Sequence, residues 1–420
     1  MGSIRVDRPG SGAHATTTPG AFVATPTISV RSQTLERQSA SAFLHDGFRP
    51  FYLGGAIVAA LAVPLWLGMW YLQCFTPSIP PLSWHMHEMV FGFAAAIIVG
   101  FLFTAARNWT GLPLPAGVPL AILFALWIAG RVGMFAAYGG VTAVLDSSLL
   151  VIVAGVLAHK FIRARSWGSM PLVAVLVTLA SANIAFHAAM LGLVGVSPMA
   201  AVEFGLMLVV LVEMIVGGRV VPGFTANAVP GVRQIRFAWL NRGSFALAGA
   251  AFIADALRLP PVLSGTIALL GAGAVAVQAI GWNPRATRGR PMLWILHAGY
   301  AFIPVGLFLL GLSALGVVPR SAAIHALAVG SMGGLIMGMI TRTALGHSGR
   351  PVRAGRVEVA AYVLVLLAAT LRITASLAPP MYMAGLLAAG AAWSGAFIVY
   401  LLAYMPILIG RGRMAVTLTR

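Results

Sequence analysis

Acidic side chains are scarce: Asp and Glu together number 9 among 420 residues, and charged residues make up only 9% of the chain. A soluble core wrapped in polar surface is thereby excluded, and a mean hydropathy of +0.93 points the same way. Cysteine is almost absent. The lone Cys74 excludes an intramolecular disulfide and a cysteine-held cluster, and reads as a passive residue at the outer end of a first helix. No apolar run precedes Phe43, so a secretory signal is not expected. Residues 1–41, rich in Thr, Ser, Gly, Pro and Arg, read as a disordered cytoplasmic tail.

What fills the chain is apolar, 60% by residue. Twelve runs are long enough to cross a bilayer, which takes roughly 20 residues at ~1.5 Å each. They lie at about 50–72, 85–106, 117–137, 141–161, 170–193, 199–217, 237–257, 262–282, 291–313, 321–341, 357–377 and 382–408. The expected fold is an all-α polytopic membrane protein, a single bundle of about 12 transmembrane helices over 42–410 followed by a short basic tail at 411–420. With the N-terminus inside, all but Arg131, Arg258, Arg320 and Arg372 of the 27 basic residues fall on the cytoplasmic side. Both termini are therefore expected in the cytoplasm. The net charge of +18 is dispersed over short loops, so lipid is the expected partner and nucleic acid is not.

Nine histidines are unusual in such a chain, and depth sorts them. In WHMHEM, His85 and His87 open helix 2 at the outer face; His187 lies near the outer end of helix 5, and His325 one turn into helix 10. These four share one layer. His297 sits about two turns into helix 9 from the cytoplasmic end, and His45, His159 and His347 at or near that boundary. Imidazoles from different helices meeting at one depth are how a bundle holds haem iron, copper or zinc. Hydrogen-bonded packing or a proton relay is the plainer reading of any one of them. His85 and His87, about 200° apart around a helix, cannot both face one metal unless the helix end unwinds.

Buried ions form a second thread. Glu88, Asp146 and Glu203 belong to the outer half, whereas Glu213, Arg219, Arg107 and Arg342 gather near the inner face. Glu213 with Arg219 or Arg342 reads most simply as an ion pair, with a proton route as the other reading. Arg219 and Arg342 also suit an anionic group such as a haem propionate. GGRVVPGFTAN, from Gly217 to Asn227, reads as a break in helix 6, either a tight elbow or a backbone platform near a cofactor. A shift of 238 residues lays HEMVFGF over HALAVGS and matches His87 with His325, Gly92 with Gly330, Gly111 with Gly349 and Pro113 with Pro351. Helices 2 and 10 thus read as a parallel echo, each with an outer histidine and a Gly-x-Pro inner turn.

FRPFYL, WHMHEMVFGF with NWTG following, NIAFH, GGRVVPGFTAN and HALAVGSMGGLIMGMITRTALGHSGRP together resemble the NnrS family of polytopic bacterial membrane proteins, in order from about Phe43 to Pro406. The resemblance implies a multi-pass protein of the bacterial inner (cytoplasmic) membrane that contains b-type haem and copper. Nitric oxide is then the expected ligand or substrate, in nitrosative stress and denitrification, and a redox enzyme acting on it is one form this could take; the electron donor stays open. The family's histidine motifs carry over onto His85, His87, His187, His325 and His347, with His45 and His297 as weaker candidates. Glu88 and Arg342 lie inside the matched motifs. Which imidazole serves iron and which copper stays open. A proton-coupled secondary transporter using Glu88, Glu203, Glu213 and the histidines is the alternative, and a scaffold for cofactor insertion a third.

Overall fold

The computed structural model describes residues 42–410 apart from residue 75. The expected tails, with His14, lie outside the described residues. Twelve long helices and no strand make up what is described: α1 (Phe48–Trp70), α2 (Pro81–Thr110), α3 (Val118–Ala136), α4 (Gly140–Arg163), α5 (Met170–Met190) and α6 (Pro198–Ala228), then α7 (Ala238–Ala256), α8 (Pro261–Gly281), α9 (Pro291–Ala314), α10 (Arg320–His347), α11 (Arg356–Leu377) and α12 (Tyr382–Leu408). Eleven are long and apolar enough to cross a membrane. The exception is α7, which carries Asn241, Arg242 and Asp255. Proline stands first in α2, α6, α8 and α9, where its missing N–H costs no hydrogen bond.

Side chains such as Leu61, Ile122, Val141, Val144, Val262 and Leu402 point outward and are exposed. An apolar exterior of this extent belongs against lipid, not water. Inside, α2 and α10 are the most enclosed helices, with 78% and 72% of their most apolar stretch buried against 28% for α3. They are the interior pair. The last helix returns onto the first, where Trp393 Nε1 donates to the Ala59 carbonyl at 2.9 Å and Arg49 Nη1 to the Ile407 carbonyl at 2.7 Å.

The echo between α2 and α10 extends into the backbone. Each helix changes from α to π winding directly after its outer histidine, over Glu88–Ala94 in α2 and Ala326–Gly333 in α10. Each also ends near a glycine in the left-handed region, Gly111 at φ 68° and Gly349 at φ 66°. A π turn fits one more residue into the helix than α winding allows and leaves backbone groups poorly paired, so it persists where side chains repair it. In α2 the repair is visible: Trp127 Nε1 of α3 donates to the Gly92 carbonyl at 3.0 Å.

The expected break at GGRVVPGFTAN is corrected. α6 runs unbroken through Pro222 to Ala228, 31 residues in all. Proline removes one donor and crowds the carbonyl four residues before it, that of Gly218, yet the helix is not interrupted. Lipid offers no alternative partner to the backbone, so the helix continues. The Pro222 carbonyl accepts a bond from Gln234 Nε2 at 3.0 Å.

Candidate functional site

Regular α winding over Pro81–His87 sends His85 and His87 to opposite sides of α2, as their spacing requires. The four outer histidines therefore form two pairs. His87 meets His187 of α5 on the side of α3 and α4, with ring centroids 5.2 Å apart. His85 and His325 line one cavity on the other side, among α1, α6, α10, α11 and α12.

The first pair sits in a buried polar cluster. His87 Nε2 lies 3.1 Å from Asp146 Oδ2, and His187 Nε2 lies 3.0 Å from the same oxygen. Asn183 Nδ2 donates to Asp146 Oδ2 at 2.9 Å, while Asn183 Oδ1 stands 3.0 Å from His87 Nε2. Arg131 of α3 bridges the two carboxylates, with Nη1 at 2.8 Å from Glu88 Oε1 and Nη2 in contact with Asp146 Oδ1. Tyr138 shares a hydrogen bond of 3.1 Å with His187 Nδ1. Two glycines make the space. A Cβ on Gly92 would meet Glu88 Oε2 at 2.8 Å, and one on Gly130 would meet Asp146 Oδ1 at 2.7 Å.

One ligand atom from each of His87, Asp146 and His187 lies within 4.8 Å of the others, and all three residues are buried. For a four-coordinate ion with bonds of about 2.0–2.1 Å, neighbouring ligand atoms stand about 3.3 Å apart, so the two short edges here need to open only slightly to admit a metal. Hydrogen bonding by itself leaves a mismatch at His87. Its Nδ1 faces Glu88 Oε1 at 3.3 Å and its Nε2 faces Asn183 Oδ1 and Asp146 Oδ2. A neutral imidazole carries one N–H, so acceptor oxygens on both nitrogens call for a further positive charge, either a second proton or a metal ion on Nε2.

The second pair lines a cavity of about 340 Å³ whose wall is mostly apolar, with Met86, Met89, Met199 and Met332 among its residues. That volume lies within the roughly 300–1,000 Å³ usual for small-molecule and cofactor pockets. His325 Nδ1 donates to the Ser321 carbonyl at 2.7 Å, which fixes the tautomer and leaves Nε2 with its lone pair. His85 stacks on Trp66 at 4.4 Å, and its Nδ1 is buried with no hydrogen-bond partner. Arg372 of α11 lines the same wall. It is 7% exposed and donates to the hydroxyls of Ser376 at 2.7 Å and Ser321 at 3.2 Å, and among the described residues no carboxylate lies within ion-pair distance of it. A buried guanidinium without an anion is costly, so this wall suits an anionic group.

Of the remaining expected residues, Glu203 lines the same cavity and the others lie elsewhere. His347 is exposed, 5.8 Å from the Phe48 ring, and His297 Nε2 shares a bond of 2.9 Å with Thr225 Oγ1. His45 stands beside Asp46 at 3.2 Å. None of these three joins either pair. Glu203 pairs with Arg320 at 2.7 Å, and Arg320 also pairs with Asp255 at 2.7 Å. The expected ion pair of Glu213 with Arg219 or Arg342 is corrected: Glu213 accepts from Ser331 Oγ at 2.5 Å, Arg219 donates to the Gly168 carbonyl, and Arg342 lies 3.9 Å over the Phe224 ring. The helical winding of α6 turns Glu213 toward α10 and leaves Arg219 on an exposed face.

Arg131, Tyr138, Asn183 and Arg372 were not among the expected site residues. Arg131 and Arg372 each interrupt an apolar run, and that interruption is the signal that could have marked them. Among curated proteins none matches the chain. The family model described as NnrS protein matches residues 42–411 and so takes in both histidine pairs, Arg131 and Arg372; the chain belongs to the NnrS family.

Proposed function

We propose that this is a haem- and copper-binding protein of the bacterial inner membrane whose ligand is nitric oxide, and that each histidine pair serves one centre. The observation that carries the reading is the wall of the larger cavity, where a ring-stacked His85, a His325 with Nε2 left bare, and the unpaired Arg372 border one apolar space. A b-type haem needs just these: imidazole nitrogens, an apolar enclosure and a cation for its carboxylates. His85 and His325 would hold the iron, and Arg372 would meet an anionic edge. His87, Asp146 and His187 would hold copper, for which two imidazoles and a carboxylate are a fitting donor set. The iron supplies affinity for nitric oxide and one-electron chemistry.

The chain's own contribution is orientation and dryness. The Ser321 carbonyl sets the His325 tautomer, Trp66 clamps the His85 ring, and the methionines exclude water. A small apolar gas reaches such a cavity through lipid. The transporter alternative calls for helices unwound at mid-membrane. Here α2 and α10 change pitch but stay helical, which weighs toward cofactor binding.

The test is an absorption spectrum of the detergent-purified protein, oxidised and dithionite-reduced, with iron and copper quantified on the same sample. His85→Ala and His325→Ala are expected to lose the Soret band while the protein remains inserted. His87→Ala and His187→Ala are expected to keep it and lose copper. A colourless, metal-free protein that stays colourless after haem reconstitution overturns the reading and moves the weight to transport.

A further inference from the structure

Glu213 takes no part in either histidine pair, yet it is the carboxylate placed deepest along its helix. It stands fifteen residues from both ends of α6, about 22 Å from each at ~1.5 Å per residue. Its Oε2 accepts from Ser331 Oγ at 2.5 Å, and its Oε1 is buried with no hydrogen-bond partner. The groups facing it are Ser331 from α10, Tyr52 from α1 and Tyr300 from α9, with Ile97, Ile98 and Phe101 from α2. Among the described residues no cation pairs with it. A carboxylate with one donor and no counter-ion is poorly tolerated in hydrocarbon, so the position is costly unless the group can take up a proton.

A polar file leads away from it. Tyr300 packs its ring against Gly217, one turn from Glu213, where an added Cβ would stand 3.1 Å from the ring. The Tyr300 hydroxyl donates to Gln278 Oε1 at 3.1 Å, and Gln278 Nε2 donates to Asn241 Oδ1 at 2.8 Å. Asn241 lies in the first turn of α7, beside the exposed Arg242 at the basic end of the bundle. Glu213 and Gly217 both line a cavity of about 80 Å³. One water needs about 10–15 Å³ of such volume, so the cavity has room for several beside Glu213. On its other side Glu213 touches Ser331, whose π-wound segment also supplies Ala328, Val329 and Met332 to the wall of the His85–His325 cavity.

We propose that Glu213 is a proton-exchanging site inside the bundle, loaded from the Asn241 end through water and the Tyr300 hydroxyl that Gln278 holds. In each hop one O–H bond breaks on a water, hydroxyl or carboxyl donor as one forms on the next oxygen; the amides of Gln278 and Asn241 orient the Tyr300 hydroxyl and pass no proton themselves. The site stands whether or not the metal reading of the cavity does, and it places an exchangeable proton one helical turn behind the cavity wall. The competing state is a dry apolar void, in which Glu213 is sealed.

The test is infrared spectroscopy of the full-length protein in nanodiscs, recording the carboxyl C=O band in pH-difference spectra and its shift after transfer to D₂O. With only 9 Asp and Glu side chains the band can be assigned by substitution. Glu213→Gln is expected to remove it and Glu213→Asp to displace it, the second variant covering the case in which the first fails to fold. Gln278→Leu and Tyr300→Phe are expected to slow its deuterium exchange at least tenfold. A spectrum unchanged in Glu213→Gln and Glu213→Asp overturns the proposal. So does a band that exchanges equally fast in wild type, Gln278→Leu and Tyr300→Phe. Neither metal nor nitric oxide is needed, so failure here is distinguishable from failure of the cofactor reading.

Discussion

Replacing Arg131 with Met keeps most of the side chain's length and removes its charge, which leaves Glu88 and Asp146 facing each other in the interior. Both carboxylates are buried, at 2% and 6% exposure, and Arg131 touches both. With neutral imidazoles the cluster of Glu88, Asp146 and Arg131 carries one net negative charge; without the guanidinium it carries two in the same space. Two charges about 4 Å apart at an effective dielectric near 20 interact by about 4 kcal/mol. Removing one member of a buried pair typically costs about 3–5 kcal/mol, because the partner stays desolvated. The expected loss for Arg131→Met is therefore about 3–5 kcal/mol. It can be read from reversible unfolding in mixed micelles of increasing SDS fraction, followed by tryptophan fluorescence. A cycle with Glu88→Gln sharpens the test, since one carboxylate fewer should cut the cost of losing Arg131 by at least about 1 kcal/mol. A loss under about 0.5 kcal/mol, or strict additivity with Glu88→Gln, would refute the idea that this guanidinium holds the cluster together.

Copper at one hundred times its dissociation constant is expected to stabilise the wild type by about 2.7 kcal/mol in the same assay, and to do nothing in His87→Ala or His187→Ala. Gly92→Ala is expected to destabilise by about 1–3 kcal/mol, since its Cβ would stand 2.8 Å from Glu88 Oε2; near-UV circular dichroism should show the cluster disturbed while helix content holds. Trp127→Phe leaves the Gly92 carbonyl of the π turn without its donor. A cost of about 1–3 kcal/mol is expected, with faster amide exchange confined to the outer part of α2.

The helices were legible because a bilayer demands long apolar runs: each of the twelve runs found a helix, and eleven of these are apolar enough to cross. α6 was misjudged at its inner end for the opposite reason: Gly-Gly and Pro are read as punctuation in water, whereas lipid keeps such a segment helical. The divergence of His85 and His87 followed from helical spacing alone. Their separate partners did not, because His187, Asp146 and His325 are brought in by packing between helices distant in sequence. Arg131 and Arg372 sat in plain view inside apolar runs, and counting them with topology signals hid their place in the sites. Glu213 was visible as an intramembrane acid, but no spacing rule ties it to Ser331.

The matched π turns of α2 and α10 bear on how the two centres can change independently. An uninterrupted helix is a rigid screw: any rotation that re-aims its outer histidines re-aims every side chain below them by the same angle. One residue accommodated beyond the regular winding breaks that coupling. In α2 the outer segment can hold the phase that gives His85 to one side and His87 to the other, while Ala95–Thr110 holds the phase that packs the bundle floor. α10 has the same liberty around His325. Substitutions on the inner halves of these helices can therefore accumulate without steering the imidazoles off target, and the outer layer can be retuned without repacking the floor.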